Sequence, residues 1–241
     1  MSEPGTSVGP FTLVVDVGGT GIKQLVLDGE GSPINERARE LTPHPATPDA
    51  VLEVIATMAK SQPAFERISV GFPGVVKHGV VHTAPNLGTE AWAGTNLELV
   101  ICERVHAPTR ALNDADLQGY GVIAGRGVEM VLTLGTGLGA ALFVDGRLVP
   151  NLELAHHPWK KRRTYEGHVG EVRRKELGKR RWTARVLEML TQLEPIFNYD
   201  AIYLGGGNAE RLDGVALPPN AHLFSSRDAL RGGARLWGLA G

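Results

Sequence analysis

The feature that most narrows the folds open to this chain is a repeated pattern of strand, glycine turn and strand. Near the N-terminus the β-branched run 11–17 meets Gly18-Gly19-Thr20-Gly21 and then a second apolar run, 22–27. In the second half, residues 129–134 meet Gly135-Thr136-Gly137-Leu138 and continue into 139–144. Strands flank both turns and neither turn ends in Gly-Lys-Ser/Thr, so the chain is not a P-loop NTPase. Two halves that open alike predict a duplicated α/β unit with a cleft between hinge-related copies and a boundary near residue 112.

The remaining runs fit that plan. They predict a third strand over 33–40, a helix over 49–60 capped by Thr47, a strand at 68–72 and a helix over 96–105. A strand at 109–112 then leads into a helix over 114–124. Asp145-Gly146 signals a tight hairpin into 147–149. A basic helical region spans 165–193, a strand 201–204, and a closing helix 226–239 is expected to return toward the first lobe. The expected organisation is a flexible tail at 1–10, a first lobe at 11–112 and a second at 113–241.

Composition removes several functional classes. With 25 basic and 26 acidic residues the net charge is −1, which gives no whole-chain drive toward nucleic acid or an anionic membrane. The charge-free stretch 130–144 is too short and too broken by glycine to span a bilayer. The opening MSEPGTSVGP lacks the basic and apolar regions of a secretory signal. Cys102 is the only cysteine, so no internal disulfide or cysteine-based metal cluster forms. A cytoplasmic protein is the expectation. Glycine, 31 of 241 residues, is the outlier, and it gathers at strand ends, as in phosphate-handling α/β proteins.

The candidate chemistry lies on these turns. Asp16-Val-Gly18-Gly19-Thr20-Gly-Ile-Lys23 sets a carboxylate at a strand end, then backbone N–H groups able to face an anion, then a hydroxyl. Gly135-Thr136-Gly137 and Gly205-Gly206-Gly207-Asn208 repeat the habit. Taken alone, Asp114 at a strand-to-helix junction reads as a helix N-cap.

The ordered set Asp16-x-Gly-Gly-Thr, Gly71-Phe-Pro-Gly74, Pro85-Asn86-Leu, Asn113-Asp114-Ala, Leu134-Gly-Thr-Gly-Leu-Gly139, Glu153-x-x-His156 and Leu204-Gly-Gly-Gly207 resembles the ROK sugar kinases. Within that family the short length and the stretch 156–166 look most like the bacterial polyphosphate glucokinases. The resemblance implies a two-lobed actin/hexokinase-like (ribonuclease H-like) fold built from duplicated βββαβαβα units. It implies Asp114 as catalytic base, since a sugar hydroxyl attacking phosphorus needs a carboxylate to take its proton. It places Asn86, Asn113, Asp114, Glu153, His156 and Glu166 at the sugar, with His157 adding a second imidazole. Asp16, Gly18, Gly19, Thr20, Lys23, Gly135, Thr136 and Gly137 would bind phosphate, Asp16 would hold Mg²⁺ through water, and Gly205-Gly206-Gly207 would border any nucleotide. Many family members carry a cysteine-rich zinc motif after the histidine; this chain lacks those cysteines, so no structural zinc is expected. The resemblance further implies a homodimer.

From Lys160 to Arg185 there are eleven basic residues against three acids, a local charge of +8 that leaves −9 for the rest of the chain. A solvated helix face usually interleaves both signs, whereas here like charges adjoin. No nucleic-acid-binding signature accompanies them, and the first strand begins too early to follow the DNA-binding extension of ROK repressors. Inorganic polyphosphate is the favoured polyanion, tracked by Lys160, Lys161, Arg162, Arg163, Arg173, Arg174, Lys179 and Arg180. Phosphorylation of the glucose 6-hydroxyl from polyphosphate, and also from ATP, is the expected activity. An ATP-dependent ROK hexokinase for glucose or mannose, and a non-catalytic sugar-responsive protein, are the alternatives.

Overall fold

The computed structural model describes residues 9–238. Most of the expected N-terminal tail, and Leu239 of the expected closing helix, lie outside the described residues. The chain divides into two units, one running up to Gly121 and resuming at Leu230, the other spanning Val122–Ala229.

In the first unit β1 (Thr12–Val17), β2 (Ile22–Leu27) and β3 (Ala38–Glu40) form an antiparallel meander, followed by α1 (Pro48–Ala59) and β4 (Arg67–Phe72). A small hairpin of β5 (Val76–Lys77) and β6 (Val80–Val81) and the short α2 (Thr89–Trp92) intervene before α3 (Leu97–Val105), β7 (Thr109–Asn113) and α4 (Asp114–Val122). The sheet order is β3-β2-β1-β4-β7, with β1, β4 and β7 parallel. Thr47 caps α1 through Ala50 N–H, Pro48 opens its first turn, and Val51, Leu52, Ile55, Met58 and Ala59 form the apolar stripe that it buries. Trp92 is fully buried, donates to the Ala46 carbonyl at 2.8 Å and packs on Phe72.

The second unit repeats the plan. Strands β8 (Val128–Leu134), β9 (Leu138–Val144) and β10 (Arg147–Val149) form the meander. They are followed by α5 (Glu166–Val169), α6 (Glu171–Phe197), β11 (Ala201–Gly205) and β12 (Ala221–Leu223). The order β10-β9-β8-β11-β12 matches the first sheet position for position. Asp145 and Gly146 both take positive φ, as a type I′ turn requires. Trp182, Val186, Met189, Leu190 and Leu193 carry α6 onto this sheet.

Glu129, almost wholly buried at the start of β8, accepts from Ala124, Gly125 and Arg126 N–H and from the Tyr203 hydroxyl. Four donors offset the desolvation of its charge. Burial and the neighbouring Glu129 raise the Tyr203 phenol to about 12.

Three expectations are corrected. The division falls at Gly121 rather than near residue 112, so α4 stays with the first unit. Arg235 donates to the Tyr120 and Gly121 carbonyls, and Gly232 approaches so closely that a Cβ there would lie 1.9 Å from the Leu117 oxygen. The closing helix is two short ones, α7 (Ser226–Leu230) and α8 (Gly232–Arg235), because this packing draws Gly232-Gly233 against α4 and β1. The third strand keeps only residues 38–40. Pro33 makes an isolated bridge to Leu27, and Asn35 turns its side chain onto the Val26 N–H.

Candidate active site

In the first unit the β1–β2 register sets Asp16 opposite Lys23, and their side chains pair at 2.8 Å. The turn between them closes through Gly18 N–H to the Gly21 carbonyl at 3.0 Å, and the Thr42 hydroxyl fixes the Gly18 carbonyl. Thr20 is exposed at the tip. Asn86 lies beside this turn, its Cβ 3.1 Å from where Gly19 would carry one. At the end of β7, Asn113 is the residue that caps α4, its Oδ1 accepting from Ala115 N–H at 2.8 Å and Asp116 N–H at 3.4 Å. Its amide donates to the Gly74 carbonyl at 3.2 Å, tying the Phe-Pro-Gly turn to the junction. Asp114 is half-buried at the first position of α4, and its Oδ1 lies 2.9 Å from the Ala115 nitrogen. Asp16 and Asn113 stand in the last two residues of β1 and β7, Asp114 follows β7 directly, and Asn86 lies against the turn after β1, all at the C-terminal end of the parallel strands, where open α/β sheets bind ligands.

In the second unit Glu153 and His156 bracket a 3-10 turn, whose three residues per turn eclipse positions i and i+3. Their carboxylate and imidazole meet at 3.5 Å. His157 turns instead toward the Tyr165 ring. Glu166 Oε2 accepts from Leu138 N–H at 3.0 Å and lies 2.2 Å from where a Cβ on Gly137 would stand, so only glycine admits it to the Gly-Thr-Gly turn. That turn closes through Gly135 N–H to the Gly137 carbonyl, and the Asn208 amide donates to the Gly135 carbonyl at 3.0 Å. Gly205 thus ends β11, Gly206 and Gly207 stand exposed, and Asn208 is buried against the phosphate turn.

Sequence reading missed Glu171. Its N–H reaches the Thr136 carbonyl, and its carboxylate takes a bidentate bond from Arg174. Arg174 first, then Asn208, hold this acid down to about 2. The signal was present as an acid directly after the Gly170 that opens α6.

The segment after His157 is held by aromatic packing. Trp159 stacks on Tyr165 at 5.1 Å, meets His168 edge-on at 4.9 Å, and carries the Lys160 ammonium over its face. His168 is buried, and burial lowers its imidazole pKa. Lys161 and Arg162 form the tip of the tight turn in this segment and both adopt positive φ, a conformation costing roughly 1–2 kcal/mol per non-glycine residue.

The basic segment divides in two. Lys160 pairs with Glu188, Arg173 with Glu176, Arg174 and Lys175 with Glu171, and Arg185 with Glu188. Lys161, Arg162, Arg163, Lys179, Arg180 and Arg181 have no carboxylate partner among the described residues. Gly178, at φ 72° and ψ 165°, breaks α6 just before Lys179. A cavity of about 230 Å³ lies between these groups, lined by Thr136, Arg163, Thr164, Glu166, Arg173 and Glu176. It brings the phosphate turn and two arginines of the basic segment to one place.

Comparison with known proteins places the chain in a family. The ROK family model matches residues 12–152, and the chain belongs to the ROK family. A polyphosphate glucokinase of Mycobacterium tuberculosis is 35% identical over 221 residues, covering 87% of this chain and 82% of the relative. A glucokinase of Streptomyces coelicolor is 32% identical over 148 residues, covering 57% of this chain and 45% of its own. The crystal structure of an inorganic polyphosphate/ATP-glucomannokinase from an Arthrobacter strain superposes with a TM-score of 0.83 at 31% identity, covering 95% of this chain and 98% of that one. The fold is the actin/hexokinase-like fold of that family: the first unit runs in βββαβαβα order, and the second repeats it with a 3-10 turn (Ala209–Leu212) in place of the helix between β11 and β12.

Proposed function

We propose that this chain is a glucokinase that transfers a phosphoryl group from inorganic polyphosphate to the 6-hydroxyl of glucose, with ATP as a second donor. The observation that carries the reading is the cavity joining Thr136 to Arg163 and Arg173, because it links a phosphate turn to cations suited to a longer polyanion. Similarity to a polyphosphate glucokinase over most of both chains supports the same donor and sugar.

Asp114 takes the proton of the 6-hydroxyl as its oxygen bonds to the terminal phosphorus and the bond to the shortened chain breaks. Asn86, Asn113, Glu153, His156 and Glu166 hold the sugar hydroxyls. Amide, carboxylate and imidazole groups supply both donors and acceptors for that task. The turns at Gly18-Gly19-Thr20 and Gly135-Thr136-Gly137 hold the phosphoryl oxygens. Gly206 and Gly207 border the nucleotide when ATP is the donor.

Mg²⁺ typically keeps several waters and takes one or two carboxylates plus substrate phosphates, so the single, partly exposed Asp16 beside a phosphate turn suits it. Bound there, the ion would neutralise donor charge. Lys161, Arg162, Arg163, Lys179 and Arg180 guide the chain, while Lys160 and Arg174 brace the scaffold through Glu188 and Glu171. A homodimer in the cytoplasm completes the proposal. The lone Cys102 fits a reducing compartment, and among the described residues no helix is long and apolar enough to cross a membrane.

The test is glucose 6-phosphate formation by the purified protein with glucose and Mg²⁺, comparing long-chain polyphosphate with ATP. Turnover with polyphosphate supports the proposal; turnover with ATP alone favours an ATP-dependent hexokinase, and none with either donor favours a sugar-responsive binding protein.

A further inference from the structure

The cavity of the second unit contains an arginine that its own acid only half satisfies. Arg173 gives Nη1 to Glu176 Oε2 at 2.6 Å, while its Nε is buried with no hydrogen-bond partner. The two side chains are unequally free, Arg173 being 25% exposed and Glu176 51%. The carboxylate can therefore swing into solvent, whereas the guanidinium stays at the wall.

The rest of the lining tells what would replace it. Arg163 has no carboxylate partner among the described residues, Thr136 belongs to the phosphate turn, and Glu166, the other acid, is already committed to Leu138 N–H. At about 230 Å³ the space is below the roughly 300–1,000 Å³ of sites that enclose drug-sized ligands. It suits a narrow chain of phosphoryl groups better than a nucleoside.

We propose that this cavity is a phosphate subsite for the donor beyond the transferred group, and that Glu176 is its built-in competitor, holding Arg173 until a phosphate displaces it. The inference rests on the polyphosphate reading. A partly exposed ion pair is weak, and a guanidinium fork binds phosphate bidentately through Nε and Nη, so displacement is favoured once the arriving anion has a second hold. A chain that also engages Arg163 has that hold; a short anion does not. Glu176 thereby makes occupancy depend on chain length.

Calorimetric titration with tripolyphosphate and with long-chain polyphosphate, without glucose, tests this on the wild type, Arg173→Gln, Glu176→Gln and the control Glu194→Gln, an exposed acid further along α6. Arg173→Gln is expected to weaken long-chain binding about tenfold, the loss of one charge-assisted pair. Glu176→Gln should tighten tripolyphosphate binding about threefold or more and narrow its disadvantage against long chains, while Glu194→Gln changes neither. A merely structural role for the pair would make both variants bind worse, and that result, or unchanged binding in Arg173→Gln, overturns the proposal. The kinase assay separates the two claims. Absent turnover with polyphosphate overturns the donor assignment, whereas turnover with unaltered binding in the variants overturns only the subsite.

Discussion

Asp114 has a neighbour that performs the structural task its position would otherwise assign to it. Because Asn113 caps α4, the Asp114 carboxylate is not needed as the cap, and Asp114→Asn preserves an oxygen facing Ala115 N–H. That variant is expected to keep its fold and its glucose affinity while losing about 10²-fold or more in turnover, read from steady-state kinetics beside glucose binding. The two histidines separate in the same way. His156→Ala should raise the KM for glucose, whereas His157→Ala, which removes a ring set against Tyr165, should act mainly on melting temperature. Glu171 gives a pH signature. Its folded value of about 2 lies below the ordinary carboxylate value of 4.5, so its stabilisation is complete above about 4.5 and is lost as pH falls toward 2. Glu171→Gln is expected to melt below the wild type at neutral pH, with the gap closing across that window. At this scale the sequence showed the residues whose spacing forms motifs, Asp16, Asn113, Asp114, Glu153 and His156 among them. It was silent on Glu171, Glu176 and Glu129, whose partners are brought to them by packing rather than by local spacing.

Gly178 decides the course of α6, and the element is best understood as two helices meeting there. Its φ and ψ lie in a region essentially restricted to glycine, so Gly178→Ala should cost about 1–3 kcal/mol in chemical denaturation. Glu129→Ala leaves the donors gathered at the start of β8 without their acceptor and is expected to cost about 3 kcal/mol or more by the same measurement. Elements whose pattern was local were legible. The runs that became β1, β2, β8 and β9 are apolar and β-branched, and their glycine turns mark their ends. The break at Gly178 was not legible because basic and apolar residues keep helical spacing on both sides of it. The closing helix failed for the opposite reason, since nothing in 226–239 announces that α4 and β1 will press against Gly232 and Gly233.

For the whole molecule, charge is the property that reaches solution. The segment 160–185 carries +8 on a chain whose net charge is −1, so the KM for polyphosphate is expected to rise with ionic strength more steeply than the KM for ATP, in assays at two salt concentrations. Paired cations such as Arg174 contribute little to that slope, and the unpaired Lys161, Arg162, Arg163, Lys179 and Arg180 contribute most of it. The first unit is also discontinuous in sequence. Arg235 clamps the end of α4, Ser69 donates to the Gly233 carbonyl, and Trp237 donates to Ser69 while lying between Arg67 and Arg110. Emerging from a ribosome, the N-terminal half therefore waits for its last strap, while Val122–Ala229 is already contiguous and free to fold. The portion made first is the portion finished last, and a nascent chain halted before Leu230 carries an unfastened first unit.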